Sequence, residues 1–137
     1  MPEVEISFDP ARIDFACTSE LIRQSYWGGQ RTEELDRSAF ANSVCVIALI
    51  GGRQVGFAWA SGDRTLFARI SDVIVWPEHR GNGIGKALVE ALLEHRDLST
   101  VMTWTLNTLD AHRFYSRYGF RPMTDGNEMR LDRPVTA

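Results

Sequence analysis

The spacing of apolar and polar residues changes period several times along the chain, and each change marks an element. "EVEISF" (3–8) alternates with period two and predicts an opening strand. "DFACTSELIRQSYW" (14–27) instead spaces Phe15, Leu21, Ile22 and Tyr26 as a helix does, until Gly28-Gly29 breaks the pattern. "TEELDRSAFANS" (32–43) predicts a short second helix with Thr32 as its N-cap. "VCVIALI" (44–50) and "RQVGFAWA" (53–60) flank Gly51-Gly52, a pair able to take the positive φ of a tight turn, so this segment predicts a hairpin. "TLFARISDVIVW" (65–76) continues it as a meander. In "IGKALVEALLEH" (84–95), Ile84, Leu88, Ala91, Leu92 and His95 share one face, which predicts a helix. "TVMTWTL" (100–106) reads as a strand, "LDAHRFYSRY" (109–118) as a helix closed by Gly119, and "EMRLD" (128–132) as a last strand after the turn "TDGN". The order βααβββαβαβ predicts one α/β (α+β) domain over residues 1–137. Its sheet should be mixed, mostly antiparallel and six- to seven-stranded, with helices on both faces.

Composition narrows the function classes. The chain has 137 residues, enough for one domain with a real core, and is 44% hydrophobic and 24% charged, as globular proteins are. A net charge of -3 argues against general nucleic-acid affinity, which needs an excess of Lys and Arg. Cys17 and Cys45 make no disulfide framework, and Cys45 within an apolar run reads as a buried thiol. His79, His95 and His112 lie far apart and give no metal-ligand spacing. "MPEVEISFDP" lacks the apolar centre of a signal peptide, and no run approaches the roughly 18 apolar residues of a membrane span. A reducing, cytoplasmic setting without membrane contact is the expectation.

The candidate chemistry begins in "VWPEHRGNGIGKALVEALLEH" (75–95), where Gly81, Gly83 and Gly85 fall between a strand and a helix. A Walker loop is excluded, because Arg80 stands where its first glycine belongs and Ala87 follows Lys86. The dinucleotide fingerprint is excluded as well, because Lys86 occupies the position of its last glycine. Arg80-x-x-Gly83-x-Gly85 remains. Unpaired N–H groups at a helix start and the helix dipole favour an anion, to which Arg80 adds a charged fork and Lys86 a point charge. A phosphate or pyrophosphate fits; the alternative is a glycine turn that binds nothing.

At this point the sequence resembles the GNAT superfamily of N-acetyltransferases. Its motif A is a strand, [QR]-x-x-G-x-[GA] and a helix, and "VIVWPEHRGNGIGKALVEALL" is similar to it. Downstream, "DAHRFYSRYGF" resembles the family segment A-x-x-[FL]-Y-x-x-x-G-F. The resemblance implies a GNAT fold over residues 1–137 and acetyl-coenzyme A as cosubstrate. The pyrophosphate would lie on the main chain of Gly81, Asn82, Gly83, Ile84 and Gly85, with Arg80 and Lys86 nearby. The backbone of Val73 and Val75 would pair with the pantetheine arm, and Phe114 and Thr108 would complete the cofactor site. Thr108 replaces an asparagine common in the family.

The resemblance also implies direct transfer to an amine, with Tyr115 protonating the departing thiolate. Some relatives carry Glu or His as a base at the positions that are here Ser71 and Arg69, so the base is open. Asp72 matches an acidic residue of polyamine-type relatives; strand alternation aims it away from Ser71 and Val73 unless a bulge intervenes. Its alternative is a structural pair with an arginine. His112, three residues before Tyr115, is either a base or orienting group, or it packs. For the acceptor, Tyr26, Trp27 and Arg31 are the candidate contacts, with Arg31 suited to a carboxylate. A small-molecule amine is the expected acceptor, with a protein lysine or N-terminus and a non-catalytic acetyl-coenzyme A sensor as alternatives. Many relatives dimerise, so a homodimer is compatible, although no apolar stripe marks an interface.

Overall fold

The computed structural model describes residues 3–25, 29, 31–108, 111–123 and 128–132. The expected Tyr26 and Trp27 contacts, Asp110 and the "TDGN" turn lie outside them. Seven strands form one sheet: β1 (Val4–Ser7), β2 (Val44–Ile50), β3 (Arg53–Gly62), β4 (Phe67–Val75), β5 (Thr103–Asn107), β6 (Arg121–Pro122) and β7 (Glu128–Asp132). Four helices accompany them: α1 (Phe15–Gln24), α2 (Glu33–Ala41), α3 (Ile84–Glu94) and α4 (His112–Ser116). The spatial order is β1-β2-β3-β4-β5-β7-β6, with only the β4–β5 pair parallel. That pair needs a crossover, and α3 provides it.

The local signals account for most boundaries. Gly51 and Gly52 take φ of 59° and 80° and turn β2 into β3. The Thr32 hydroxyl accepts from Leu35 N at 3.2 Å, which caps α2 as expected. Helix α1 is shorter than its apolar spacing suggested: Ser25 turns extended at ψ 160°. On α3 the buried face is Ile84, Leu88, Val89 and Leu92, while Ala91 is half-buried and His95 is the C-cap. The short β6 was not foreseen. It has two residues, and its proline fits because β6 is an edge strand.

Two apolar clusters cover the two faces of the sheet. Under α3, Ile84, Leu88 and Leu92 pack on Val46, Ala58, Ala68 and Ile70, and the cluster continues to Trp104, Tyr115 and Phe120. Under α1 and α2, Ile22 and Phe40 pack on Ile47, Phe57, Ile74 and Trp76. Cys45 is buried here as expected, and burial pushes its thiol up to about 12. No helix among the described residues is long and apolar enough to cross a membrane.

Gly56 on β3 seats α3. A Cβ there would meet Ile84 Cγ2 at 3.0 Å and Leu88 Cδ1 at 3.1 Å. Gly56→Ala is therefore expected to destabilise the fold by about 1–3 kcal/mol through overpacking. Chemical denaturation would check this, and an unchanged midpoint would refute it.

Candidate active site

The site forms where two neighbouring strands part. Strand β4 pairs with β5 only from Phe67 to Arg69, opposite Thr103 to Thr105. Against β3, its register slips by one residue: Trp59 faces Ser71, but Phe57 faces Ile74, so β4 carries an extra residue opposite Ala58. The extra residue changes which face the strand buries. Ala68 and Ile70 pack under α3, whereas Ile74 packs under α1 and α2. Asp72 sits at the irregularity with φ 50°, a left-handed conformation that costs an L-residue roughly 1–2 kcal/mol.

Beyond the parting lie two cavities that meet. The first, about 530 Å³, runs along Val73, Val75, Arg80 and Gly85 to Phe114 and Tyr115. The end of α1 closes it through Leu21, Gln24 and Ser25; of these the sequence marked only Leu21, and as a helix-face residue rather than a site residue. The second, about 650 Å³, is lined by Arg31, Trp59, Arg69, Ser71, Asp72 and Thr108, among others. Val73, Arg80, Ala111 and Tyr115 line both. A third cavity, about 550 Å³ and bounded by Phe8, Ile13, Phe40 and His95, shares no described residue with these two.

At one end of the first cavity α3 begins without a side-chain cap, at Gly83 with φ 77°. Its first intrahelical bond is Ala87 N to Gly83 O, so the N–H groups of Ile84, Gly85 and Lys86 have no partner within the helix. Gly81 also has positive φ, 83°, and a Cβ on Gly81 or Gly83 would meet nothing within 4 Å. The turn is held from behind: Asn82 Nδ2 donates to His79 O at 3.2 Å and Arg80 Nε to Val75 O at 3.1 Å. Val75 O keeps one lone pair for the pantetheine pairing expected of it. Ile84 is 2% exposed and contributes backbone only, whereas Lys86 reaches outward with Glu90 at 4.0 Å. These features fit a diphosphate: open backbone donors, room beside them and two cations.

Tyr115 is 8% exposed and lies edge-on to Phe114, with ring centroids 4.9 Å apart. Neighbouring Tyr118 is different. Its hydroxyl donates to Glu90 Oε1 at 3.3 Å, and burial together with that carboxylate pushes it up to about 12. Thr108 lines the second cavity rather than the first, and its hydroxyl accepts from Ala111 N at 3.0 Å to start α4. His112 opens α4 but is not among the residues lining either cavity.

Asp72 and Arg31 do face the second cavity, but mainly each other. Arg31 Nη1 donates to Asp72 Oδ1 at 3.0 Å and Nη2 lies 2.8 Å from Oδ2. The same guanidinium reaches Asp36 through Nε at 2.8 Å and Nη2 at 2.7 Å. Trp59 Nε1 donates to Asp72 Oδ2 at 2.6 Å, and Ser19 Oγ to Asp36 Oδ2 at 2.6 Å. Burial works against the charge on Arg31, but the Asp72 and Asp36 carboxylates outweigh it and hold the guanidinium above its usual range. Breaking a buried pair of this kind typically costs about 3–5 kcal/mol. Trp59, Asp36 and Ser19 were missed. The available signal was Asp36 four residues before Phe40, an acid on the helix face that carries the core.

The profile of the acetyltransferase (GNAT) domain matches residues 41–122. The chain belongs to the GNAT acetyltransferase family. The uncharacterized N-acetyltransferase ycf52 of Pyropia yezoensis is 34% identical over 94 residues, covering 64% of this chain and 54% of its own. The chain thus spans about half the length of the first curated relatives it matches. A crystal structure of a protein from Xanthomonas campestris pv. campestris assigned to the GNAT family superposes with a TM-score of 0.86 at 38% identity, covering 90% of this chain and 88% of that one. An aminoglycoside 6'-N-acetyltransferase complexed with coenzyme A shares the fold, with a TM-score of 0.72 at 20% identity over 97% and 99% of the two chains. Among the described residues no group of three or more His, Cys, Asp or Glu converges on a metal position.

The two helix-start glycines differ in what they tolerate. Gly83 needs its positive φ, but Gly85 is helical and a Cβ there would touch Val75 Cγ2 at an ordinary 3.8 Å. Gly83→Ala is expected to lose roughly 1–2 kcal/mol of stability. Gly85→Ala should keep or gain up to about 1 kcal/mol, because alanine favours the helix. Thermal unfolding of both variants would show whether they diverge in this way.

Proposed function

We propose that this GNAT domain, read as residues 1–137, is an acetyl-coenzyme A-dependent N-acetyltransferase that passes the acetyl group directly to an amine, most simply that of a small molecule. The observation that carries the proposal is Tyr115, which with Val73, Arg80 and Ala111 lines both cavities and is the only one of the four with a hydroxyl. One cavity leads to an open helix N-terminus suited to a diphosphate; the other, lined by polar and aromatic groups, takes the acceptor. Coenzyme A in the fold neighbour supports the cofactor half of this proposal.

Bound acetyl-coenzyme A supplies an activated thioester. The chain's residues do the rest. The α3 N–H groups and Arg80 hold the phosphates, and the unpaired edge of β4 at Val73 aligns the arm. The Tyr115 hydroxyl gives its proton to the sulfur as the thiolate leaves, a role open to a phenol that lines both cavities. Holding amine and thioester together in adjoining cavities supplies much of the acceleration. Among the described residues lining the acceptor cavity, the sole carboxylate is that of Asp72, which is engaged by Arg31 and Trp59, and none is a histidine. The amine therefore enters neutral or gives its proton to water.

Two measurements test this. Acetyl-coenzyme A at about 100 times its Kd should stabilise the fold by roughly 2.7 kcal/mol, and Arg80→Glu should abolish the thermal shift. No shift in the wild type would refute the cofactor site. In a thiol-release screen over amines, Tyr115→Phe should lower kcat by about 10²–10⁴-fold while cofactor affinity holds. Full cofactor binding with no turnover on any amine would favour the sensor alternative instead.

A further inference from the structure

We propose that Asp72 is a positioning residue for acetyl transfer: gripped by Arg31 and Trp59, it holds the β4 bulge that opens the cleft. It does not take the proton of the amine. This deepens the acetyl-transfer proposal for the same site and rests on it.

Three observations converge. The carboxylate is 1% exposed, and Arg31 reaches both of its oxygens, at 3.0 and 2.8 Å, while Trp59 donates to Oδ2 as well. Although Asp72 borders the acceptor cavity, its oxygens are already engaged by Arg31 and Trp59. Its backbone is held at φ 50°, a conformation that persists when the surroundings over-determine it. Arg31 also links otherwise separate segments: it precedes α2, binds Asp36 on α2, and through Asp72 reaches β4. Asp36 is tied to α1 through Ser19, whose hydroxyl also accepts from Arg23 Nη1 at 3.1 Å. The grip therefore fixes α1, α2, β3 and β4 at the point where β4 leaves β5. The ionisable groups around Asp72 are Arg31 and, through it, Asp36; Arg69, Arg80 and Tyr115 line the same cavity. Loosening the grip should move the acceptor wall and leave the phosphate end, at the start of α3, in place.

The experiment compares wild type with Asp72→Asn and Arg31→Lys, which keep size, and with Arg31→Ala. The first readout needs no activity: the indole N–H resonance of Trp59 in a nitrogen-15 NMR spectrum, assigned with Trp59→Phe. It should shift in Arg31→Ala and exchange with solvent at least about tenfold faster, and Arg31→Lys should partly restore it. The second is steady-state kinetics on the best amine from the screen. Asp72→Asn should raise acceptor KM about tenfold or more, with acetyl-coenzyme A affinity and the shape of the kcat/KM pH profile retained. An indole resonance indifferent to Arg31 overturns the proposal. So does an Asp72→Asn variant that keeps its fold and acetyl-coenzyme A affinity but whose kcat collapses and whose acid limb disappears, as loss of a general base requires. If the wild type acetylates no amine, the acetyl-transfer reading falls separately, and the indole resonance still decides whether Arg31 holds the bulge.

Discussion

The site depends on one constraint: β4 must bury different faces at its two ends. Its first half serves the core under α3, through Ala68 and Ile70. Its second half serves the core under α1 and α2, through Ile74. Period-two alternation cannot do both without an extra residue. The chain places that residue opposite Ala58 and accepts a left-handed Asp72. Pairing of β4 with β5 ends at Arg69, just ahead of this irregularity, and leaves the following strand edge facing the cavities. The cleft is thus a consequence of how two cores share one strand.

Given the cleft, the helix start offers the proposed cofactor end a row of backbone donors, with Arg80 beside them. Gly56 lets α3 lie close on β3, which brings its first turn to the end of β4. Gly81 and Gly83 supply positive φ and leave the space beside them open, while Asn82 and Arg80 tie the turn to what precedes it. Side chains would crowd the donors that matter here. A main-chain cradle asks little of residue identity beyond glycine, and its positive end adds the dipole contribution.

Much of this was legible in the sequence because it is local. The Gly51-Gly52 hairpin, the Thr32 cap, the α3 periodicity and the open helix start each depend on residues within a few positions of one another. The family motifs lie in the same class: a contiguous run from β4 to α3, and another around Tyr115. What was not legible is set at a distance. The end of α1 depends on how Ser25 turns, β6 is only two residues long, and nothing near Trp59 in the chain announces Asp72 as its partner. Asp72 shows the boundary well. Alternation gave its default direction and named a bulge as the exception, but the bulge is a property of β3 and β4 together.

The two halves of the site therefore differ in kind. Only the phosphate end of the proposed cofactor half is written in consecutive residues, Arg80 to Lys86. The proposed acceptor half is assembled from Arg31, Trp59 and Asp72, the first and last 41 positions apart. In it, Arg31 is at once cavity wall and structural tie, so a substitution there changes acceptor shape and fold stability together. A carboxylate-binding role for Arg31 would draw on a guanidinium already engaged by two aspartates, leaving at most one N–H for a ligand. The rest of that wall includes Arg69, Ser71 and Trp59, of which Trp59 is held by the same network and Arg69 bonds Thr105 instead.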